Sequence, residues 1–275
     1  WQSVYKMPKK YFEQFGCVIG DEAHMFKAKS LTGIMTKLHQ CKYRFGFTGT
    51  LDGTETHRLV LEGLFGSVEQ VVTTKELIDK KTLANLKIKC ITLKHPEKRE
   101  RMTYAEELDY LVSKESRNKF ILDLCNTING NTLCLFQLVE KHGKILYDGM
   151  KGKENVYFVY GGTDTDQREK IRGLVEGHKN STTIASYGTF STGINIRNIH
   201  NIVLASPSKS KIRVLQSIGR GLRTSSTKDS ILVFDISDDV SYRGQRNFTL
   251  NHFLERLNIY NEQQFNYEIS KVKIK

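Results

Sequence analysis

Four short segments of this 275-residue chain carry side chains whose types and spacing could do chemistry. The first, Asp21-Glu22-Ala23-His24, follows the apolar run Cys17-Val18-Ile19-Gly20. Adjacent carboxylates at the carboxyl end of a buried strand are costly unless a cation or a reaction needs them. In nucleotide hydrolysis such an Asp can hold Mg2+ while such a Glu polarises the attacking water. A helix N-terminus capped by Asp21 is the plainer alternative; a zinc-protease site is excluded because no H-E-x-x-H occurs. The second segment, Thr48-Gly49-Thr50, ends the strand-like run Tyr43–Thr48. Its Gly lets backbone pass closely under a neighbouring loop, although alone it reads as a turn.

The third segment, Ser186 to Asn195, is rich in hydroxyls and glycine and reads as a loop following a strand. It could offer N–H and hydroxyl groups to phosphates, or be an ordinary surface loop. The fourth, Lys211–Arg223, is the most informative. On a helix, Arg213, Gln216, Arg220 and Arg223 share one arc, and Ile212, Leu215, Ile218 and Leu222 lie opposite. From Ser208 to Lys228 there are six basic residues and no acidic one. A row of guanidinium groups suits phosphate oxygens, whereas the bland alternative is a solvated basic face. No G-x-x-x-x-G-K-[ST] occurs, so the sequence lacks the phosphate-cradling loop that a Mg2+-binding Asp-Glu pair needs beside it.

Composition supports a polyanionic partner. There are 42 Lys and Arg against 30 Asp and Glu, a formal charge of +12, most simply matched by nucleic acid. The hydrophobic share of 39% is that of an ordinary globular chain and excludes wholesale disorder. No apolar run approaches the roughly 18 residues of a membrane-crossing helix, so no membrane partner is expected. Five scattered cysteines without a C-x-x-C pair argue against a zinc site or disulfide framework and fit a reducing cytoplasm. Cys17 and Cys134, both in apolar runs, are expected in the core.

These segments need elements to position them. Strand-like runs at Thr132–Val139, Val156–Tyr160, Thr182–Ser186, Ile199–Ala205 and Ser230–Ile236 alternate with helical patterns near 140–150, 164–176 and 209–222. Such alternation predicts a parallel sheet covered on both faces. Asp164 with Gln167 three residues on predicts a capped start for the middle helix. The earlier part offers only strands Cys17–Gly20 and Tyr43–Thr48, then helix-like Lys75–Asp79 and strand-like Leu86–Leu93. A division near residue 83 follows, with 1–82 reading as the back end of a domain.

Taken in order, DEAH, TGT, SYGTFSTGIN and QSIGRGLR resemble motifs II, III, V and VI of superfamily 2 helicases. Within that superfamily, ASYGTFSTGINIRNIHNIVLA and SKSKIRVLQSIGRGLR resemble the phage UvsW recombination helicases, and the likeness runs from Gln2 to Tyr267. The resemblance implies an α/β fold, a RecA-like parallel sheet with helices on both faces. Residues 1–82 would be the C-terminal part of a first lobe holding motifs II and III, and 83–275 a second lobe holding motifs IV to VI. It implies that Asp21 binds Mg2+ and Glu22 activates water, while His24, Thr48 and Thr50 couple the nucleotide state to the second lobe. Arg220 and Arg223 would be arginine fingers with Gln216 beside them, and Gly193 and Asn195 would line the nucleotide. Ser186, with Gln2 and Ser3, would contact the nucleic-acid strand, and Leu133–Phe136 resembles the motif IV strand.

The implied cofactors are ATP and Mg2+. The implied partners are DNA, branched or duplex and including RNA–DNA hybrids, and an N-terminal part of the same chain. The implied setting is phage recombination and replication in the host cytoplasm. A double-strand DNA translocase of restriction or remodelling type and a non-catalytic nucleic-acid-binding module are the rival readings. A chain opening Trp-Gln-Ser and lacking the P-loop is expected to be a fragment, inactive alone, with that loop upstream of Trp1.

Overall fold

The first apolar runs make two very short strands. β1 (Cys17–Gly20) and β2 (Tyr43–Gly46) pair in parallel, in register from Cys17 opposite Tyr43 to Gly20 opposite Gly46. Around them lie α1 (Lys9–Phe12), a 3-10 turn at Ala23–Lys27, α2 (Lys29–Lys37) and α3 (Glu55–Phe65). Glycine at the end of each strand lets α3 close on the pair, because a Cβ on Gly20 or Gly46 would stand 2.9 Å from the Phe65 ring. Phe12, Phe26, Leu31, Met35, Leu38 and Leu61 form the core of this part. Two strands cannot cover both faces of a sheet. Ile19 stays 66% exposed and Phe45 48%, and Cys17 is exposed rather than in the core as its apolar run predicts. The strand end at Asp21 is thus not buried, which corrects the expectation drawn for it. β2 also stops at Gly46, short of Thr48.

The structure, a computed structural model, describes residues 1–51, 54–96, 101–193, 196–207, 210–224 and 228–274. It has two compact units, Trp1–Val71 with Ser210–Ile212, and Val72–Lys209 with Arg213–Lys275. The division falls upstream of residue 83, and α4 (Thr74–Asp79) goes with the second unit because Ile78 packs on that unit's core.

The second unit is built on seven parallel strands: β3 (Asn85–Lys94), β4 (Thr132–Phe136), β5 (Val156–Val159), β6 (Thr182–Ser186), β7 (Asn201–Leu204), β8 (Ser230–Asp239) and β9 (Tyr267–Lys273). Their order is β5-β6-β4-β7-β8-β3-β9. Successive side chains of a strand point to opposite faces, and here the two sets feed two separate cores. Leu133, Leu135, Ile202, Leu204 and Val233 join one; Cys134, Phe136, Val203, Phe234 and Ile236 join the other. Helices α8 (Thr165–Gly177), α9 (Tyr187–Gly193), α10 (Lys211–Gly221) and α11 (Phe248–Glu262) supply residues to the first core. Helices α6 (Glu115–Thr127) and α7 (Lys144–Asp148) supply the second. A sheet buried on both faces explains the continuous apolar strands. It is the doubly covered parallel sheet that the alternating pattern predicts.

Local signals set several boundaries. Asp164 accepts a hydrogen bond from the Gln167 N–H at 2.8 Å and starts α8 as expected. Thr103 and Glu106 form a reciprocal capping box that starts α5 (Tyr104–Ser113). β4 stops at Phe136 rather than Val139. A π turn at Val139–Gly143 follows, in which Gly143 passes so close to Phe136 that a Cβ would lie 2.5 Å from its ring. Among the described residues, no helix is long and apolar enough to cross a membrane.

Candidate functional site

In the first unit the site grows from the end of the β1–β2 pair. The ladder continues past the strands, with Phe47 N–H donating to Gly20 O at 2.8 Å and Ala23 N–H to Phe47 O at 2.9 Å. That clamp pins the chain on both sides of Asp21 and Glu22, which stand exposed between its rungs. Glu22 has φ 50 and ψ 50, a left-handed conformation unusual outside glycine. Holding a non-glycine residue there costs on the order of 1–3 kcal/mol, and such strain clusters at functional sites. Asp21 Oδ1 accepts the Glu22 N–H at 2.9 Å, which fixes the carboxylate while its other oxygen carries no bond within the turn.

His24 is buried at the start of the 3-10 turn and ties the Asp-Glu turn to the Thr-Gly-Thr turn. Its Nδ1 lies 2.9 Å from Thr48 Oγ1 and 3.2 Å from Glu22 Oε2. Thr48 already donates its hydroxyl proton to Thr50 O at 2.9 Å. The Thr48 oxygen must therefore accept from His24, so the proton sits on Nδ1 and faces the Glu22 carboxylate as well. Thr50 N–H returns to Thr48 Oγ1 at 3.3 Å. Glu22, His24, Thr48 and Thr50 thus form one chain of polar contacts, and a shift at the Glu22 carboxylate has a direct path to the second turn. Among the described residues, no cluster of three or more His, Cys, Asp or Glu could hold a metal unaided. Mg2+ generally takes one or two carboxylates plus water and substrate phosphates, and the anchored, exposed Asp21 fits that use. Gln2 and Ser3 are exposed at the 3-10 turn Val4–Lys6, away from these hydrogen bonds in sequence.

In the second unit the hydroxyl-rich segment is not the loop its composition predicts. Ser186 ends β6, and Tyr187–Gly193 form α9. Ser186 Oγ takes the Thr189 N–H at 3.3 Å and lies 2.8 Å from Thr189 Oγ1, so the hydroxyl works as a cap. Tyr187 and Phe190, three residues apart, are buried and pull the segment onto the sheet. Gly193 ends α9, and Asn195 lies outside the described residues.

α10 carries Gln216 and Arg220 one turn apart, both half-buried. Arg223 falls beyond the helix, exposed, in an isolated bridge with Leu83. The buried stripe is Val214, Ser217, Ile218 and Leu222, rotated slightly from the predicted one, and Leu215 is only partly covered. Gly221 lets this stripe approach the sheet, since a Cβ there would meet Ile231 and Ile202 at 2.2 and 2.7 Å. Lys228, buried, donates through Nζ to Gly221 O at 2.5 Å and to Arg197 O at 3.1 Å, closing the last turn. Burial pushes its ammonium down to about 8. Its role escaped sequence reasoning, for a single Lys in a basic stretch looks like a solvated charge.

A helicase conserved C-terminal domain matches residues 103–225. The chain is 35% identical to the ATP-dependent DNA helicase UvsW of Enterobacteria phage T4, over all of this chain and 58% of that protein. The crystal structure of T4 UvsW superposes with a TM-score of 0.61 at 34% identity, covering 99% of this chain and 57% of that one. The DNA-bound restriction-modification enzyme LlaBIII shares the fold, with a TM-score of 0.64 at 11% identity over 98% of this chain and 22% of its own. The chain spans about half the length of the curated relatives it matches. With the doubly covered parallel sheet, the four motifs in order and the likeness running end to end, the chain carries a helicase conserved C-terminal domain and is similar to the superfamily 2 helicase UvsW.

Proposed function

We propose that this chain is part of an ATP-dependent DNA helicase that acts on branched or hybrid duplexes in recombination and replication. The observation that carries the reading is the chain Glu22–His24–Thr48–Thr50 beside the anchored carboxylate of Asp21. A strained, exposed Glu tied through a histidine to a second turn is what a hydrolase needs if it is to convert nucleotide state into movement. Asp21 is the residue that would hold Mg2+ with ATP, and the metal would supply charge neutralisation at the β- and γ-phosphates. Glu22 orients and activates the attacking water, and the His24 in contact with it keeps the carboxylate aimed. Arg220 and Arg223, with Gln216, stabilise charge on the transferring phosphoryl group, and Gly193 and Asn195 lie along the nucleotide. Ser186, Gln2 and Ser3 contact the strand backbone, so binding is largely independent of sequence and weakens with salt. The 275 residues alone are read as inactive, since they contain no P-loop.

The test uses the full-length protein in two assays run side by side. A helicase separates the strands of a branched DNA with ATP. Displacement of a triplex-forming strand without strand separation would instead assign a double-strand translocase, and neither activity would leave a binding module.

A further inference from the structure

Two contacts between α9 and α10 have no part in the roles given above. Tyr187 and Phe190 are almost fully buried, yet each offers its ring to an arginine of α10. The guanidinium carbon of Arg213 lies 5.6 Å from the centre of the Tyr187 ring, and that of Arg220 lies 6.0 Å from the centre of the Phe190 ring. A guanidinium at about this distance over an aromatic face is attracted by the ring quadrupole, more strongly where water is excluded.

The rings are fixed seats. Tyr187 donates its hydroxyl to Ser206 O at 3.1 Å, which holds it to the chain leaving β7. Phe190 belongs to the core that also contains Val214 and Ile218 of α10 and Leu222 just after it. The helix bearing the arginines is held at its far end by Lys228 on Gly221 O. The backbone on both sides of Arg220 is therefore held, and where the guanidinium goes is set by the rotamers of a long side chain. A ring beneath its head narrows those rotamers before any phosphate arrives, and preorganised charge is what stabilises a transition state cheaply. Ser186 and Gly193 of the same segment were singled out by type, whereas an aromatic beside them reads from sequence as core.

We propose that Phe190 is a positioning residue that seats the Arg220 guanidinium for catalysis, an assignment that rests on the reading of Arg220 as an arginine finger. Phe190 does not touch the reacting atoms; it acts through Arg220. Tyr187 and Arg213 form a second pair of the same kind on the same two helices.

The experiment is a double-mutant cycle on the full-length protein, read as nucleic-acid-stimulated ATP turnover. Phe190→Leu keeps an apolar core but removes the ring; it should lower kcat about fivefold with KM for ATP nearly unchanged. Arg220→Ala should lower kcat on the order of 10³-fold. The double variant should turn over no more slowly than Arg220→Ala, because a seat has no effect once its occupant is gone. Phe190→Tyr, which restores the ring, should recover kcat. A further fivefold loss in the double variant, or a Tyr variant as slow as the Leu one at equal Tm, would show plain packing and overturn the proposal. So would Phe190→Leu turning over like the wild type. An Arg220→Ala protein with unchanged kcat overturns the arginine-finger reading and the seat together, whereas a large Arg220 effect with no Phe190 effect removes only the seat.

Discussion

In the first unit Asp21 and Glu22 stand exposed at the end of a two-stranded sheet whose apolar side chains are themselves half in water. In the second, Asp235 in the middle of β8 and Asp238 near its end lie fully buried, each gripped by an arginine. Arg117 Nε reaches both Asp238 oxygens at 2.9 and 3.0 Å, its Nη2 donates to Ala205 O at 2.7 Å, and His95 Nε2 closes on Asp238 at 2.8 Å. Arg256 spans Asp235 through Nε and Nη2, with the Tyr260 hydroxyl donating to the same carboxylate at 2.8 Å. Identical residue types thus serve opposite ends. The carboxylates of the first unit are open, with Glu22 in a strained turn; those of the second are saturated with donors and dry. Side-chain type does not reveal which is which, and the number of fixed partners does.

Three outcomes would break or sharpen that contrast. Glu22→Gln in the full-length protein should cut nucleic-acid-stimulated kcat by roughly 10²–10⁴-fold while Tm stays put, since an exposed side chain adds little to stability. A fall in Tm alongside kcat would make Glu22 architectural as well. Arg117→Met should do the reverse and cost about 3–5 kcal/mol in chemical denaturation, because it strands a buried carboxylate. Its pH dependence sharpens the point. Burial alone would push Asp238 up, but Arg117 and His95 hold it below the ordinary carboxylate range. In the wild type that stabilisation is present above the unfolded value and is lost as pH falls below it. Without Arg117 burial prevails, and the variant should gain stability as pH falls toward the unfolded value from above, a range over which the wild-type contribution of Asp238 is flat.

The smallest effect concerns Lys228. Its folded value of about 8 lies below the ordinary 10.5, so between those two values the unfolded chain binds the proton and the folded one does not. Stability should therefore rise modestly from pH 8 to 10.5, and a Lys228→Met variant should lose that rise. A wild-type curve falling over this window would mean that the ammonium is better solvated than its two carbonyl partners imply.

The second unit's fold was legible because a sheet covered on both faces must be apolar along its whole strands, so β4, β6 and β7 announce themselves. β3 and β8 are ten residues each and also visible, although their ends were misjudged by residues that continue into polar clusters. The π turn after β4 was hidden because the reason for it, Gly143 against Phe136, is a tertiary approach. In the hydroxyl-rich segment helix won over loop because Tyr187 and Phe190 had somewhere to be buried, which local composition does not record. The site split in the same way. Asp21, Glu22, His24 and the threonines were readable from type and order, and their linkage through polar contacts is what the structure adds. Arg117 and Phe190 were not readable, since each matters through a partner far along the chain, and Lys228 was not because its partners are backbone carbonyls, which side-chain type does not reveal. The one available hint was Asp235 and Asp238 interrupting an apolar strand, which obliges buried donors to exist somewhere.

The place of β3 in the sheet has a consequence for how the protein is made. This strand is the first of its unit to leave the ribosome, yet its neighbours on either side are β8 and β9, the last two. Ser237 Oγ meets Ile91 O across 146 residues, and Ser270 Oγ meets Cys90 O across 180. Until those residues are synthesised, β3 has two bare edges and a run of apolar side chains with nothing to pair against. Closing such long loops before any contact rewards them slows folding and prolongs exposure to aggregation. While this unit is being synthesised the nascent chain should therefore depend on holding factors, and the sheet locks only when β9 arrives.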